Sequence, residues 1–135
     1  MKLLQPFAEL HHGLVTLDAV RAAGLSRSTW KRAIDAGQLD VVRAGVARIS
    51  GLPPSPYEAI AAAVLAAGKG AIASHRCAAF LWDIPVASTP KPEVILPRRS
   101  RRATLHGVIV HRPRDLLDVG AVIRHGVPTC NLLRL

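Results

Sequence analysis

Residues 14–49 read LVTLDAVRAAGLSRSTWKRAIDAGQLDVVRAGVARI, and the fold turns on this stretch. Thr16 stands where a helix N-cap is needed, ahead of Leu17, Val20 and Ala23, and Asp18 suits the positive end of that helix. Gly24 closes it as a C′ residue able to take positive φ. Ser26 then caps a second helix, with Trp30, Ala33 and Ile34 on one side and Arg27, Ser28, Lys31, Arg32 and Asp35 on the other. Gly37 ends it. Two helices joined by a Gly-containing turn of about three residues make a helix-turn-helix.

After Gly37 the period changes. Leu39, Val41 and Val42, then Val46, Ala47 and Ile49, form two β-type runs around Ala44 and Gly45. They predict a hairpin with Arg43 and Arg48 near its tip and along its outer face. A hairpin directly after the second helix is the wing of a winged helix. Each feature is weak alone, and together they support one another. The first residues of a recognition helix lie deepest in the major groove, so Arg27, Ser28 and Thr29, with Ser26 before them, are expected at base edges. Lys31 and Arg32 reach bases or flanking phosphates, and Arg43 and Arg48 the minor groove or backbone. The plain alternative is a solvated helix face and two ordinary strand arginines.

Upstream, LLQPFAELH at 3–11 puts Leu3, Leu4, Phe7 and Leu10 on one helical face, with Pro6 tolerated in the first turn. Downstream, GLPP at 51–54 is the clearest linker. It divides the chain into a DNA-binding domain at 1–51 and a second domain at 55–135. Ser55, Pro56 and Glu58 have the spacing of a capping box. The helix they open, to residue 67, is almost all Ala, Ile, Leu and Val and must be buried on most sides. Ser74 is placed to cap another helix through Trp82. Extended runs follow at 92–96, 107–111 and 119–127, and a last short helix is expected near Thr129. The fold class is α+β: a winged helix-turn-helix, then a small α/β domain with two helices and an antiparallel sheet.

The charge balance points to a polyanionic partner. There are 18 Lys and Arg against 9 Asp and Glu, a net +9 on 135 residues. Fourteen of the cations are Arg, whose planar fork grips phosphates and guanine edges bidentately. Half the residues are hydrophobic but only 4% are aromatic, so the core is aliphatic. The densest charge is Arg98, Arg99, Arg101 and Arg102, between two predicted strands and so on a hairpin loop. Such a loop contacts phosphates, docks an acidic protein or merely stays solvated. The longest apolar run, 59–67, is too short for a membrane span, and no secretory leader follows Met1. The expectation is a cytoplasmic, nucleoid-associated protein with no membrane partner.

Chemistry finds little to work with. Asp115 and Asp118 are the closest acidic pair, and no nuclease-like carboxylate set can be assembled. Cys77 and Cys130 make no disulfide framework. His75 with Cys77, and His125 with Cys130, lack the paired spacings of zinc sites. Ser74 with His75 fits a helix cap better than a nucleophile and base. No enzyme activity, metal or cofactor is expected.

The order of motifs resembles the type IV toxin–antitoxin antitoxins of the AbiEi family, in their actinobacterial form. It runs through HGLVT at 12–16, AAGLSRS at 22–28, AGQL at 36–39, VRAGVARI at 42–49, AIASHR at 71–76, VIVHR at 108–112 and GVPT at 126–129. The resemblance implies a winged helix, a second α/β domain, repression of the protein's own promoter at repeats in double-stranded DNA, and action against a nucleotidyltransferase-like toxin. It carries recognition-helix duty to Ser26, Arg27, Ser28, Lys31 and Arg32, and wing duty to Arg43 and Arg48. Ala47 stands where the family's wing has an aromatic. TCNLLRL at 129–135 replaces a segment running T-x-A-R-T-L-L-D-L, and the nuclease-like domain of longer relatives does not carry over. Two other functions compete: a protein-interaction module that neutralises a toxin through residues 55–135, and a truncated antitoxin remnant with only generic DNA affinity.

Overall fold

The computed structural model describes residues 2–88, 90–97, 105–113 and 121–132. The protein is mixed α and β, with five α-helices and two sheets among the described residues, and divides into two compact units, 1–58 and 59–135.

The first unit opens with a 3-10 turn at Lys2–Leu4 that runs into helix α1, Gln5–Leu10, with Pro6 in its first turn. The 3-10 turn advances about 120° per residue rather than about 100°, so the single apolar face expected at 3–11 does not form. Leu4 and Ala8 go inward with Phe7 against them, whereas Leu3 and Leu10 are exposed. Strand β1, Leu14–Thr16, follows, buried along its whole length. Helix α2, Leu17–Ala22, is capped by Thr16, whose hydroxyl accepts from the Ala19 N–H at 3.0 Å. Helix α3, Arg27–Asp35, is capped in the same way by Ser26, which accepts from the Thr29 N–H at 3.2 Å. Strands β2, Leu39–Arg43, and β3, Val46–Ile49, form an antiparallel hairpin whose register shifts by a bulge between Val41 and Arg43. The sheet order is β1-β3-β2, because β1 pairs antiparallel with β3. Val15, Val20, Trp30, Ala33, Leu39 and Ala47 supply the core.

Helix α4, Glu58–Ala67, begins at the last residue of the first unit. The capping box expected there does not form. Glu58 turns its carboxylate to Arg48, while the Ser55 hydroxyl accepts from the Tyr57 N–H and meets His12 Nδ1 at 3.0 Å. Residues 60–64 of this helix are buried, as an all-apolar helix requires.

The second unit is built on five strands: β4 (Ile72–Ala73), β5 (Glu93–Ile95), β6 (Ile109–His111), β7 (Val122–Arg124) and β8 (Val127–Thr129). Their order is β6-β5-β4-β8-β7. The sheet is mixed and not antiparallel: β4 runs parallel to β8, and β5 parallel to β6. Strands β5 and β6 are therefore not the two arms of a hairpin, as their flanking of the arginine cluster led one to expect, and the cluster itself lies outside the described residues. The run at 119–127 resolves into a hairpin instead, β7 turning at His125 and Gly126 into β8. Thr129 therefore ends a strand, and the short helix expected near it falls on residues of which only those up to Leu132, itself in a 3-10 turn, are described. Its hydroxyl donates to the Ala73 carbonyl at 3.2 Å.

Helix α5, His75–Leu81, buries Cys77, Ala78 and Leu81. Ile72, Ala78, Ile95 and Cys130 form the small core between helix and sheet. Trp82 Nε1 donates to the Cys130 carbonyl at 3.0 Å, and the Arg124 guanidinium lies 4.7 Å from the Trp82 ring centroid while pairing with Asp83 at 3.0 Å. No helix among the described residues is long and apolar enough to cross a membrane.

Candidate functional site

Helix α3 carries Arg27, Ser28, Thr29, Lys31 and Arg32, the largest group of side chains that the sequence singles out. Trp30 and Ala33 are buried and fix its orientation on the first unit's core. Arg27, Ser28, Lys31 and Arg32 are all exposed. Residues i, i+1, i+4 and i+5 share one side of a helix, so these four form a continuous polar face with three cations, closed at its C-terminal end by Asp35. Arg32 Nε donates back to the Ser28 carbonyl at 3.4 Å, which lays the guanidinium along the helix. Thr29 is half-buried, and Ser26 and Thr29 hold each other through their hydroxyls at 3.2 Å. Ser26 is therefore chiefly the cap that starts the helix.

The two hairpin arginines differ. Arg43 is half-buried at the end of β2, beside the Ala44-Gly45 turn. Arg48 points its guanidinium at Glu58, donating to both carboxylate oxygens at 2.7 and 3.0 Å, with Asp40 at 3.9 Å. With its side chain 23% exposed and its charge matched by a nearly buried carboxylate, Arg48 is engaged inside the unit. Arg98, Arg99, Arg101 and Arg102 lie outside the described residues.

A second group comes together in the 59–135 unit, from residues far apart in sequence. His75 follows β4 at the start of α5, Glu93 begins β5, and His111 ends β6. In the parallel β5–β6 ladder Ile95 pairs with His111, which puts Glu93 and His111 on the same face. Glu93 Oε2 lies 2.6 Å from His111 Nε2 and 3.3 Å from His75 Nδ1. The two imidazole centroids are 4.3 Å apart. His75 has φ +52°, a left-handed conformation that branched and bulky residues seldom adopt. The Ser74 hydroxyl makes no capping bond and sits 3.0 Å from His75 Nδ1, so it serves the imidazole and not the helix. A cavity of about 370 Å³ opens beside the group, lined by Ser74, His75, Ile95, His111, Arg112 and Cys130 among others.

Cys77 is close by in sequence but chemically quiet. Its Sγ donates to the Lys91 carbonyl at 3.3 Å. Burial pushes the thiol up to about 11, against a hydrogen bond at the Glu93 backbone that lowers it and with the Glu93 charge that raises it. The spacing of His75, Glu93 and His111 is not a local motif, because the three residues meet only through strand pairing. The signals available in the chain were local only: His75 and His111 lie in the AIASHR and VIVHR motifs, and Glu93 is a polar residue in the extended run at 92–96.

No family model matches the chain, and no curated protein matches it.

Proposed function

We propose that the protein binds double-stranded DNA sequence-specifically, with the first unit acting as a winged helix-turn-helix. In this proposal α3 is the recognition helix and the β2–β3 hairpin the wing. The exposed face of α3 carries it: three cations and a hydroxyl on two turns, backed by a buried Trp30 and opened by a side-chain cap. The element order, with a three-stranded antiparallel sheet ending in a hairpin after α3, supports it further. Arg27 and Ser28 are the base readers, Lys31 and Arg32 read bases or hold phosphates, and Arg43 touches the backbone from the wing. Arg48 acts indirectly, by anchoring β3. The physiological role that fits the sequence resemblance is autorepression of the protein's own promoter and antitoxin action in a type IV system against a nucleotidyltransferase-like toxin.

The test is a fluorescence-anisotropy titration against the protein's own upstream promoter and a scrambled duplex, at two salt concentrations. The promoter is expected to win at both. Arg27→Ala and Arg32→Ala are each expected to lose about 1–3 kcal/mol of promoter binding and most of the preference. Equal, salt-labile binding to the two duplexes, or an undiminished preference in both variants, overturns the proposal.

A further inference from the structure

We propose that His75, Glu93 and His111 form a site for one divalent transition-metal ion, with zinc the first candidate, held by His75 Nδ1, His111 Nε2 and a Glu93 carboxylate oxygen.

The donor atoms already converge. All three lie within 4.8 Å of one another, and the carboxylate oxygen is 2.6 and 3.3 Å from the two nitrogens. Zinc bonds of about 2.0–2.2 Å at tetrahedral angles place donors roughly 3.3–3.6 Å apart. Ligation therefore asks for shifts of about 1 Å, within reach of side-chain rotation. The donor set is two imidazoles and one carboxylate, which favours zinc and its transition-metal neighbours over magnesium or calcium, ions that prefer oxygen. Cys77 stays out of the set, its Sγ occupied by the Lys91 carbonyl.

The setting of the group also bears on the site. His75 has a left-handed backbone conformation, one that histidine tolerates, and its Nδ1 lies 3.3 Å from the Glu93 carboxylate. The cavity of about 370 Å³ then lies beside the group, with the Arg112 and Ser74 side chains on its wall. A three-ligand ion at this place keeps a coordination position for water or an anionic ligand, as open zinc sites do.

The experiment uses the full chain, stripped with chelator and titrated with zinc in competition with a chromophoric chelator, and separately with cobalt and with magnesium. One zinc per chain is expected, with affinity at least ten times above that for magnesium, and cobalt is expected to give the visible bands of a low-coordinate site. His75→Asn keeps a residue that tolerates positive φ while removing the imidazole, and it is expected to lose at least tenfold in zinc affinity, as are Glu93→Gln and His111→Ala. His125→Ala removes another histidine that sits beside a carboxylate, Asp83, and is expected to change nothing. Zinc is also expected to raise the Tm of the parent chain and not that of His75→Asn, a readout that holds even where another variant folds poorly. Zinc binding that is weak and equal in the parent and His75→Asn, or a stoichiometry unchanged by His75→Asn and His111→Ala together, overturns the site.

Discussion

Arg48 shows how an arginine that looks free in sequence can be taken by the fold. The RAGVAR pattern places it on a strand, but its partner Glu58 lies ten residues away in what reads as the start of a helix. Removing one partner of a nearly buried ion pair leaves the other charge unsatisfied. Arg48→Ala is expected to destabilise the first unit by about 3 kcal/mol in a urea melt. The double variant with Glu58→Ala should cost less than the two single changes summed. DNA affinity measured well below the melt should hardly move, and a large fall there at unchanged stability would return Arg48 to the DNA-contacting set. Cys77 gives a second test at this scale. A thiol raised to about 11 from 9.0 keeps its proton in the folded state while the unfolded chain loses it. Its contribution to stability is then complete below about pH 9 and lost as pH rises towards 11. Chemical denaturation at pH 8 and pH 10.5 should show the parent losing more stability over that interval than Cys77→Ala. An equal loss would mean the thiol does not couple to folding.

At the scale of elements, α3 depends on its cap. A nine-residue helix is short enough for one side-chain bond to count, and Ser26 supplies it. Ser26→Ala is expected to lower stability by about 1 kcal/mol. Ser26→Asp keeps the cap and suits the helix dipole, so it should leave the melt nearly unchanged while weakening DNA binding through its charge. Equal DNA affinity in Ser26→Asp and the parent would place the start of α3 away from phosphate. The elements legible in sequence were those with a strong local signal. The caps at Thr16 and Ser26, the hairpin around Gly45 and the apolar helix α4 needed no knowledge of distant residues. Strands β1 and β4, of three and two residues, were not legible, because both are fully buried and too short to alternate. The parallel pairings were hidden for a different reason: strand direction is set by which residue lies opposite which, and no local pattern records it. The His75–Glu93–His111 group was illegible on the same grounds.

Over the whole molecule, the charge is unevenly divided. Residues 59–135 carry eleven Lys and Arg against four Asp and Glu, whereas residues 1–58 carry seven against five. Most of the excess therefore lies outside the unit proposed to read sequence, and under that proposal attraction and discrimination fall to different units. Replacing Arg98, Arg99, Arg101 and Arg102 by Gln is expected to flatten the salt dependence of DNA binding, by about 0.9 in log–log slope for each phosphate no longer neutralised. The ratio of promoter to scrambled affinity should stay as it was. A collapse of that ratio would mean that the cluster takes part in reading sequence. The division into two units also bears on synthesis, through the central strand of the second sheet. Ala73 in β4 accepts from Thr129 in β8, 56 residues further on. At about 5–20 residues per second a ribosome needs roughly 3–11 s to cover that distance. During that interval the first unit is already wholly translated, while β4 can have its neighbour on one side only. A nascent chain therefore passes through a stage in which the segment proposed to hold DNA is complete and the sheet behind the histidine cluster still has an unfilled edge, open to a chaperone or to mispairing with another chain.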